Sequence, residues 1–192
     1  SLMSVASLLS LLVTAAPGPL FEAVDSNRGS KVKAALTTGA EINEIGPGGQ
    51  TPLMYAVLGG KDKSVKALLK AGADVTIPEK DGYTPMHGAA FQGRAKIAKL
   101  LIAHGLDPSD MHADGHTPLH RACWGREARH TDTVWAFLDA GVPPDQPSAD
   151  GKRPIDMASG NDNSRKLLGE ALQEKMAADA AAARAAKAEA SQ

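Results

Sequence analysis

The chain has 192 residues, with 21 Lys plus Arg against 22 Asp plus Glu and a formal net charge of −1 at pH 7. That balance excludes functions that need clustered positive charge, nucleic-acid binding above all. The one cysteine, Cys123, excludes an intramolecular disulfide framework and fits a reducing, cytoplasmic setting, and no apolar run is long enough to cross a bilayer.

Residues 1–17 predict a helix. Ser4 is placed as an N-cap, and Val5, Leu8, Leu9 and Leu12 fall at helical spacing, able to cover the exposed end of whatever follows. The same segment resembles the apolar part of a secretory leader, but no Lys or Arg occurs before Arg28, and such signals begin with positive charge. From Gly18 onward one pattern returns. It reads Gly18-Pro19-Leu20-Phe21-Glu22-Ala23, then Thr51-Pro52-Leu53-Met54-Tyr55-Ala56, then Thr84-Pro85-Met86-His87-Gly88-Ala89, then Thr117-Pro118-Leu119-His120-Arg121-Ala122. Each copy starts 33 residues after the last, and a weaker one, Arg153-Pro154-Ile155-Asp156-Met157-Ala158, follows after 36. Gly39, Gly72, Gly105 and Gly141 keep the same register. Two landmarks sharing one period define a repeat protein of five units.

Each landmark has a mechanical reason. Thr before Pro ahead of an apolar-periodic run starts a helix, because the hydroxyl can accept from an orphan amide and Pro gives up a donor that would be unpaired there. Ala56, Ala89 and Ala122 let one helix approach the next closely, and a second helix carries Leu68-Leu69, Leu101-Ile102 and Phe137-Leu138. The glycine after it supplies the left-handed residue that ends a helix without steric cost. The stretch from that glycine to the next Thr is polar and includes Asp81-Gly82, Asp114-Gly115 and Asp150-Gly151, which favour tight reversals.

With its Thr-Pro-x-His-x-Ala and Gly-Ala-Asp patterns, the chain resembles the ankyrin-repeat family from about Gly18 to Leu172. The resemblance implies an all-α solenoid of helix-turn-helix units with finger-like β-turn loops and extra capping helices at both ends. Its divisions are a capping helix over 1–17, a repeat domain over 18–163, and a C-terminal helix with an alanine-rich tail over 164–192. The family histidine, here His87 and His120, is expected to bridge neighbouring fingers, a bond that Met54 cannot make. Gly18 and Arg153 replace the capping Thr in the outer units, as terminal repeats often do.

Past the fourth unit's first helix, three extra residues fall within 125–133 and are expected in the turn between its two helices. They are either a contact element beside Trp124 or a tolerated loop insertion. Ser164–Met176 predicts a helix with Leu167, Leu168, Ala171, Leu172 and Met176 on one side. From Ala177 to Ala190, ten of fourteen residues are alanine, a stretch with high helix propensity but little apolar area to bury.

Catalytic constellations are weak. His112, His116, His120 and Cys123 superficially have metal-ligand spacing, but His120 is the bridging histidine, Cys123 stands at a small inter-helix position, and the other two lie on a finger. Gly46-Pro47-Gly48-Gly49 lacks the lysine of a phosphate-cradling loop and reads as a finger turn. Neither an enzyme nor a cofactor is expected.

The family's binding groove is built from finger tips and the exposed side of each first helix. By register it falls on Gln50, Tyr55 and Leu58, then Lys80, Asp81, Tyr83, Phe91 and Gln92, then Asp114, His116, Arg121 and Trp124, and last Lys152. Four of the seven Phe, Tyr and Trp residues lie on it: Tyr55, Tyr83, Phe91 and Trp124. Phe21 and Phe137 are assigned to interiors and Trp135 to the outer helix layer. These four aromatics, with Arg121 as polar anchor, are expected to contact a protein or peptide partner. The resulting expectation is a monomeric cytoplasmic adaptor or scaffold without nucleic-acid or membrane partners, with a subunit that occludes an enzyme's active site as the alternative.

Overall fold

The computed structural model describes residues 18–190, so the helix expected over 1–17 lies outside the described residues. Within them the chain forms ten α-helices and no strand. The first helices of the five units are α1 (Pro19–Asp25), α3 (Pro52–Leu58), α5 (Pro85–Phe91), α7 (Pro118–Cys123) and α9 (Pro154–Met157). The second helices are α2 (Gly29–Thr37), α4 (Asp62–Lys70), α6 (Ala95–Ala103), α8 (Ala128–Asp139) and α10 (Asp162–Glu189). First helices pack on first helices, second on second, and each pair packs on its own partner, giving two layers over one continuous core. No helix among the described residues is long and apolar enough to cross a membrane.

The first layer is buried nearly all round, since Pro85 through Ala90 are all covered. Leu53, Ala56, Val57, Ala89, Ala90, Leu119, Ala122 and Cys123 form its seam, and Leu68, Leu101 and Phe137 reach it from the second layer. The second helices end at Gly39, Gly72, Gly105 and Gly141, with φ of 96°, 86°, 95° and 83°. Nothing lies within 4 Å of where a Cβ would stand at any of the four, so the need for glycine there is conformational, not spatial.

Fingers repeat one hydrogen-bond pattern. Gly46, Glu79, His112 and Ser148 donate their N–H groups to the carbonyls of Gln50, Tyr83, His116 and Lys152 at 2.8 to 3.0 Å. The residue following each such carbonyl is Thr51, Thr84, Thr117 or Arg153, and there the capping chemistry varies with the side chain available. The Thr51 hydroxyl accepts the Met54 N–H at 3.2 Å. Thr84 and Thr117 instead place Oγ1 2.8 Å from Nδ1 of His87 and His120. His120 Nδ1 also accepts the Thr117 N–H at 3.3 Å, so its proton sits on Nε2, which donates to the Lys152 carbonyl of the next finger at 3.0 Å. His87 Nε2 has no hydrogen bond, although the equivalent carbonyl, that of His116, is near enough to act on the ring's titration. Met54 is buried and has no polar group for the bridge. In the fifth unit Asp156 replaces the histidine and accepts the Arg153 N–H at 2.9 Å.

A second set of ties runs down the array. Lys61 Nζ donates to the Asp25 carbonyl at 2.9 Å, Arg94 Nη2 to the Leu58 carbonyl at 3.3 Å, His130 Nε2 to the Phe91 carbonyl at 3.1 Å, and Asn161 Nδ2 to the Gly125 carbonyl at 3.1 Å. Each acceptor lies at or just past the end of a first helix, where carbonyls have no intrahelical partner, and each donor comes from the following unit.

The three extra residues of the fourth unit are not a longer turn. They lengthen the second helix: α8 has 12 residues where α4 and α6 have 9. Counting back from the closing glycine, His130 stands where Lys61 and Arg94 stand (11 residues before Gly141, Gly72 and Gly105), and Ala128 and Arg129 extend the helix ahead of it. The C-terminal helix begins at Asp162, with the Asn161 side chain accepting the Ser164 N–H at 3.0 Å, and it takes the place of the fifth unit's second helix. Its first half packs on α8 and α9. From Met176 to Ala190 every residue is exposed while the chain stays helical to Glu189.

Two outcomes follow for stability. Replacing His120 with Ala leaves the Lys152 carbonyl and the buried Thr117 amide without their partner and should lower unfolding free energy by about 1–3 kcal/mol in urea. Burial also lowers the pKa of both His87 and His120 in the folded chain, against a raising influence of Asp110 on the first and of the Lys152 bond and Asp150 on the second. The unfolded chain therefore takes up protons first. The contribution is intact above about pH 6.5 and is lost as pH falls below it toward the depressed folded values. The urea midpoint should drop between pH 7 and pH 5, and the drop should shrink when both histidines are replaced by Gln.

Candidate partner-binding groove

Seven residues into each first-helix motif stand Leu58, Phe91 and Trp124, and four residues in stand Tyr55, Gly88 and Arg121. The third unit thus has a glycine where its neighbours carry a tyrosine and an arginine. A hollow of about 290 Å³ opens over it, floored by Met54, His87 and Gly88, walled by Leu58, Phe91, Tyr83 and Arg121, and rimmed by Gln92, Glu79 and Asp81. A Cβ on Gly88 would stand 3.2 Å from Leu58 Cδ2 and 3.2 Å from Met54 Cε, so any side chain there would fill the hollow.

The wall toward the fourth unit is a built cluster. Arg121 is only 5% exposed. Its Cζ lies 4.8 Å from the centre of the Tyr83 ring and 4.3 Å from that of Trp124, so the guanidinium is held between two aromatic faces. Its Nη2 donates to the Tyr83 hydroxyl at 3.0 Å and to the Asp114 carboxylate, and the Tyr83 hydroxyl donates to Asp114 Oδ2 at 3.3 Å. Tyr83 also stacks on His112, with centroids 4.0 Å apart, and His112 Nε2 donates to the Asp81 carbonyl at 3.2 Å. Burial alone would raise the Asp114 carboxyl. Hydrogen bonds from His112 and Arg121, with the guanidinium charge, outweigh it and hold Asp114 well below the usual carboxylate range. Arg121 and Asp114 therefore cancel at neutral pH.

The residues named from sequence fall into two groups. Leu58, Asp81, Tyr83, Phe91, Gln92 and Arg121 meet around the hollow. Most of the others hold the chain to itself. Tyr55 donates its hydroxyl to Asp25 at 3.0 Å, which with partial burial raises its pKa, and its ring meets Phe21 edge-on at 5.4 Å. His116 lies against Trp124 at 5.2 Å and near Asp114 Oδ1 at 3.4 Å. Lys152 Nζ pairs with Asp150 at 2.8 Å. Gln50 closes the second finger through its carbonyl. Arg121, expected as a polar anchor for a partner, is buried with its charge met inside the cluster. Phe91 differs from all of these: it is 53% exposed and makes no ring contact among the described residues. Met54, Glu79 and Gly88 were not anticipated, although the glycine at the Tyr55 and Arg121 position was a visible signal.

Both nitrogens of His120 are engaged, and burial pushes the Cys123 thiol up to about 12, leaving no thiolate for attack. Among the described residues no group of three or more His, Cys, Asp and Glu is placed to hold a metal ion.

The family model for ankyrin repeats, spanning three copies, matches residues 20–112 and again 77–148, which together cover more than half of the 192 residues. No curated protein matches the chain. The match agrees with the paired helices, the closing glycines and the finger-to-finger ties, and the chain belongs to the ankyrin-repeat family.

Proposed function

We propose that the chain is a cytoplasmic adaptor or scaffold that holds a segment of a protein partner in the groove over Gly88, acting as a monomer and by binding, not catalysis. Ankyrin repeats are in general protein–protein interaction modules. The observation that carries the reading here is the half-exposed Phe91 ring beside an unfilled, mostly apolar hollow. An aromatic side chain that is desolvated at the centre of a contact is among the largest single contributors to binding.

The hollow is open before any partner arrives. Tyr83 is fixed by His112 and Arg121, and the backbone end of α5 is fixed by His130. A partner docking there would lose its own freedom but impose little new order on this chain, which favours affinity. Tyr83 and Trp124 are poor probes of the idea, because removing them releases the Arg121 charge.

Leu58→Ala with Phe91→Ala is the cleaner test, since neither side chain belongs to the buried core. The double variant should keep its helical circular dichroism yet lose partner capture by a factor of about thirty or more, equal to about 2 kcal/mol. Trp135→Ala, on the outer layer, should capture as the parent does. Undiminished capture by the Leu58 and Phe91 variant would place the contact on another face.

A further inference from the structure

We propose that the groove takes a basic side chain, an arginine or lysine presented by an extended segment of the partner protein; this rests on the groove reading above and names its occupant. Charge around the hollow is one-sided. On its far wall the Arg121 guanidinium is neutralised by Asp114. His87 in the floor is held neutral at physiological pH by burial. That leaves Glu79 and Asp81 on the rim. Glu79 Oε1 accepts the Asp81 N–H at 3.1 Å, and no ion pair involves either carboxylate among the described residues. The nearest cation in sequence, Lys80, is not among the residues lining the hollow, and its Cβ stands against Gly49 at the second finger. Two carboxylates thus face a hollow with no mobile countercharge.

The rest of the lining fits the same side chain. Lysine and arginine carry an aliphatic stem that packs on apolar surface while the charged head stays at a polar edge. Leu58, Met54 and Phe91 supply the surface for the stem, and Glu79 with Asp81 marks the edge for the head. Phe91 presents an exposed ring beside it, and an aromatic face adds attraction for a cation. The chain already uses this arrangement once, since Arg121 lies between Tyr83 and Trp124 above a carboxylate. An acidic occupant would face like charge, and a purely apolar one would leave two carboxylates partly desolvated without compensation.

The experiment is selection of phage-displayed random dodecapeptides on the full chain, followed by titration calorimetry of the enriched peptides at low and high salt. Enriched sequences should share a fixed Arg or Lys. Their affinity should fall about tenfold or more on Ala replacement of that residue, by a similar factor with Glu79→Gln plus Asp81→Asn, and further at high salt. The charge-reversed Glu79→Lys plus Asp81→Lys chain should select an acidic residue in its place. Enrichment of apolar or acidic residues, lost with Leu58→Ala plus Phe91→Ala but indifferent to the two carboxylates, would overturn the basic-side-chain inference and leave the groove standing. No enrichment, or enriched peptides that bind the Leu58 and Phe91 variant equally well, would overturn both.

Discussion

At or just past the end of each of the first four first helices, one carbonyl takes its donor from the unit that follows. Lys61, Arg94, His130 and Asn161 each reach back in this way to α1, α3, α5 and α7. Where packing keeps water from such a carbonyl, leaving it unpaired costs about as much as a lost hydrogen bond, so each unit gains when its successor is in place. The apolar seam makes the same demand, since all six residues of α7 and Pro85 through Ala90 of α5 are buried. Helices of that length do not form alone in water. Stability, register and the shape of the groove are therefore properties of the stack, with nearest-neighbour contacts supplying most of them.

A stack of like units presents like surfaces unless something breaks the series. Here the break is Gly88. Its neighbours in register, Tyr55 and Arg121, each fill the space above their helix and bind a carboxylate, Asp25 in one case and Asp114 in the other. Between them the glycine leaves a hollow that Met54 floors and Leu58 walls without closing. The tyrosine and the arginine have a double effect, since each satisfies its own unit and each bounds the gap. That is why most of the rare aromatics cluster on this face and yet only Phe91 stands unengaged.

Much of this was legible because the repeat imposes backbone requirements that few residue types meet. Pro85 and Pro118 must start helices, Gly72 and Gly105 must end them with positive φ, and His120 must reach the next finger. Such demands are local and recur at a fixed spacing, so the pattern in the letters is the pattern in space. Three of the back-reaching donors keep a spacing too, each 11 residues before its closing glycine, but Lys, Arg, His and Asn are chemically unlike, and only the like position of their acceptors shows them to be one feature. The setting of Arg121 was hidden for a related reason. From sequence a lone arginine beside scarce aromatics looks free for a partner, whereas its buried position between Tyr83 and Trp124 depends on Asp114, seven residues earlier on a finger. Side-chain pairs across units are set by packing, which periodicity does not encode.

The lengthened α8 connects these themes. With the helix begun earlier, at Ala128, His130 keeps its place beneath α5, where it donates to the carbonyl of Phe91 itself. The space it occupies exists because Gly125 has no side chain; a Cβ there would stand 1.9 Å from the His130 ring. Asn161 then holds the Gly125 carbonyl at 3.1 Å from the fifth unit, and Thr131 is tied to Asn161 Oδ1 at 3.1 Å. The insertion thus acts from behind the groove. It joins the third, fourth and fifth units through one small network whose first member fixes the backbone of the most exposed ring on the candidate binding face. A three-residue loop on the surface could have been accommodated at little cost, but folded into the helix the same residues extend the stack's own chain of carbonyl ties to the residue on which the proposed contact depends.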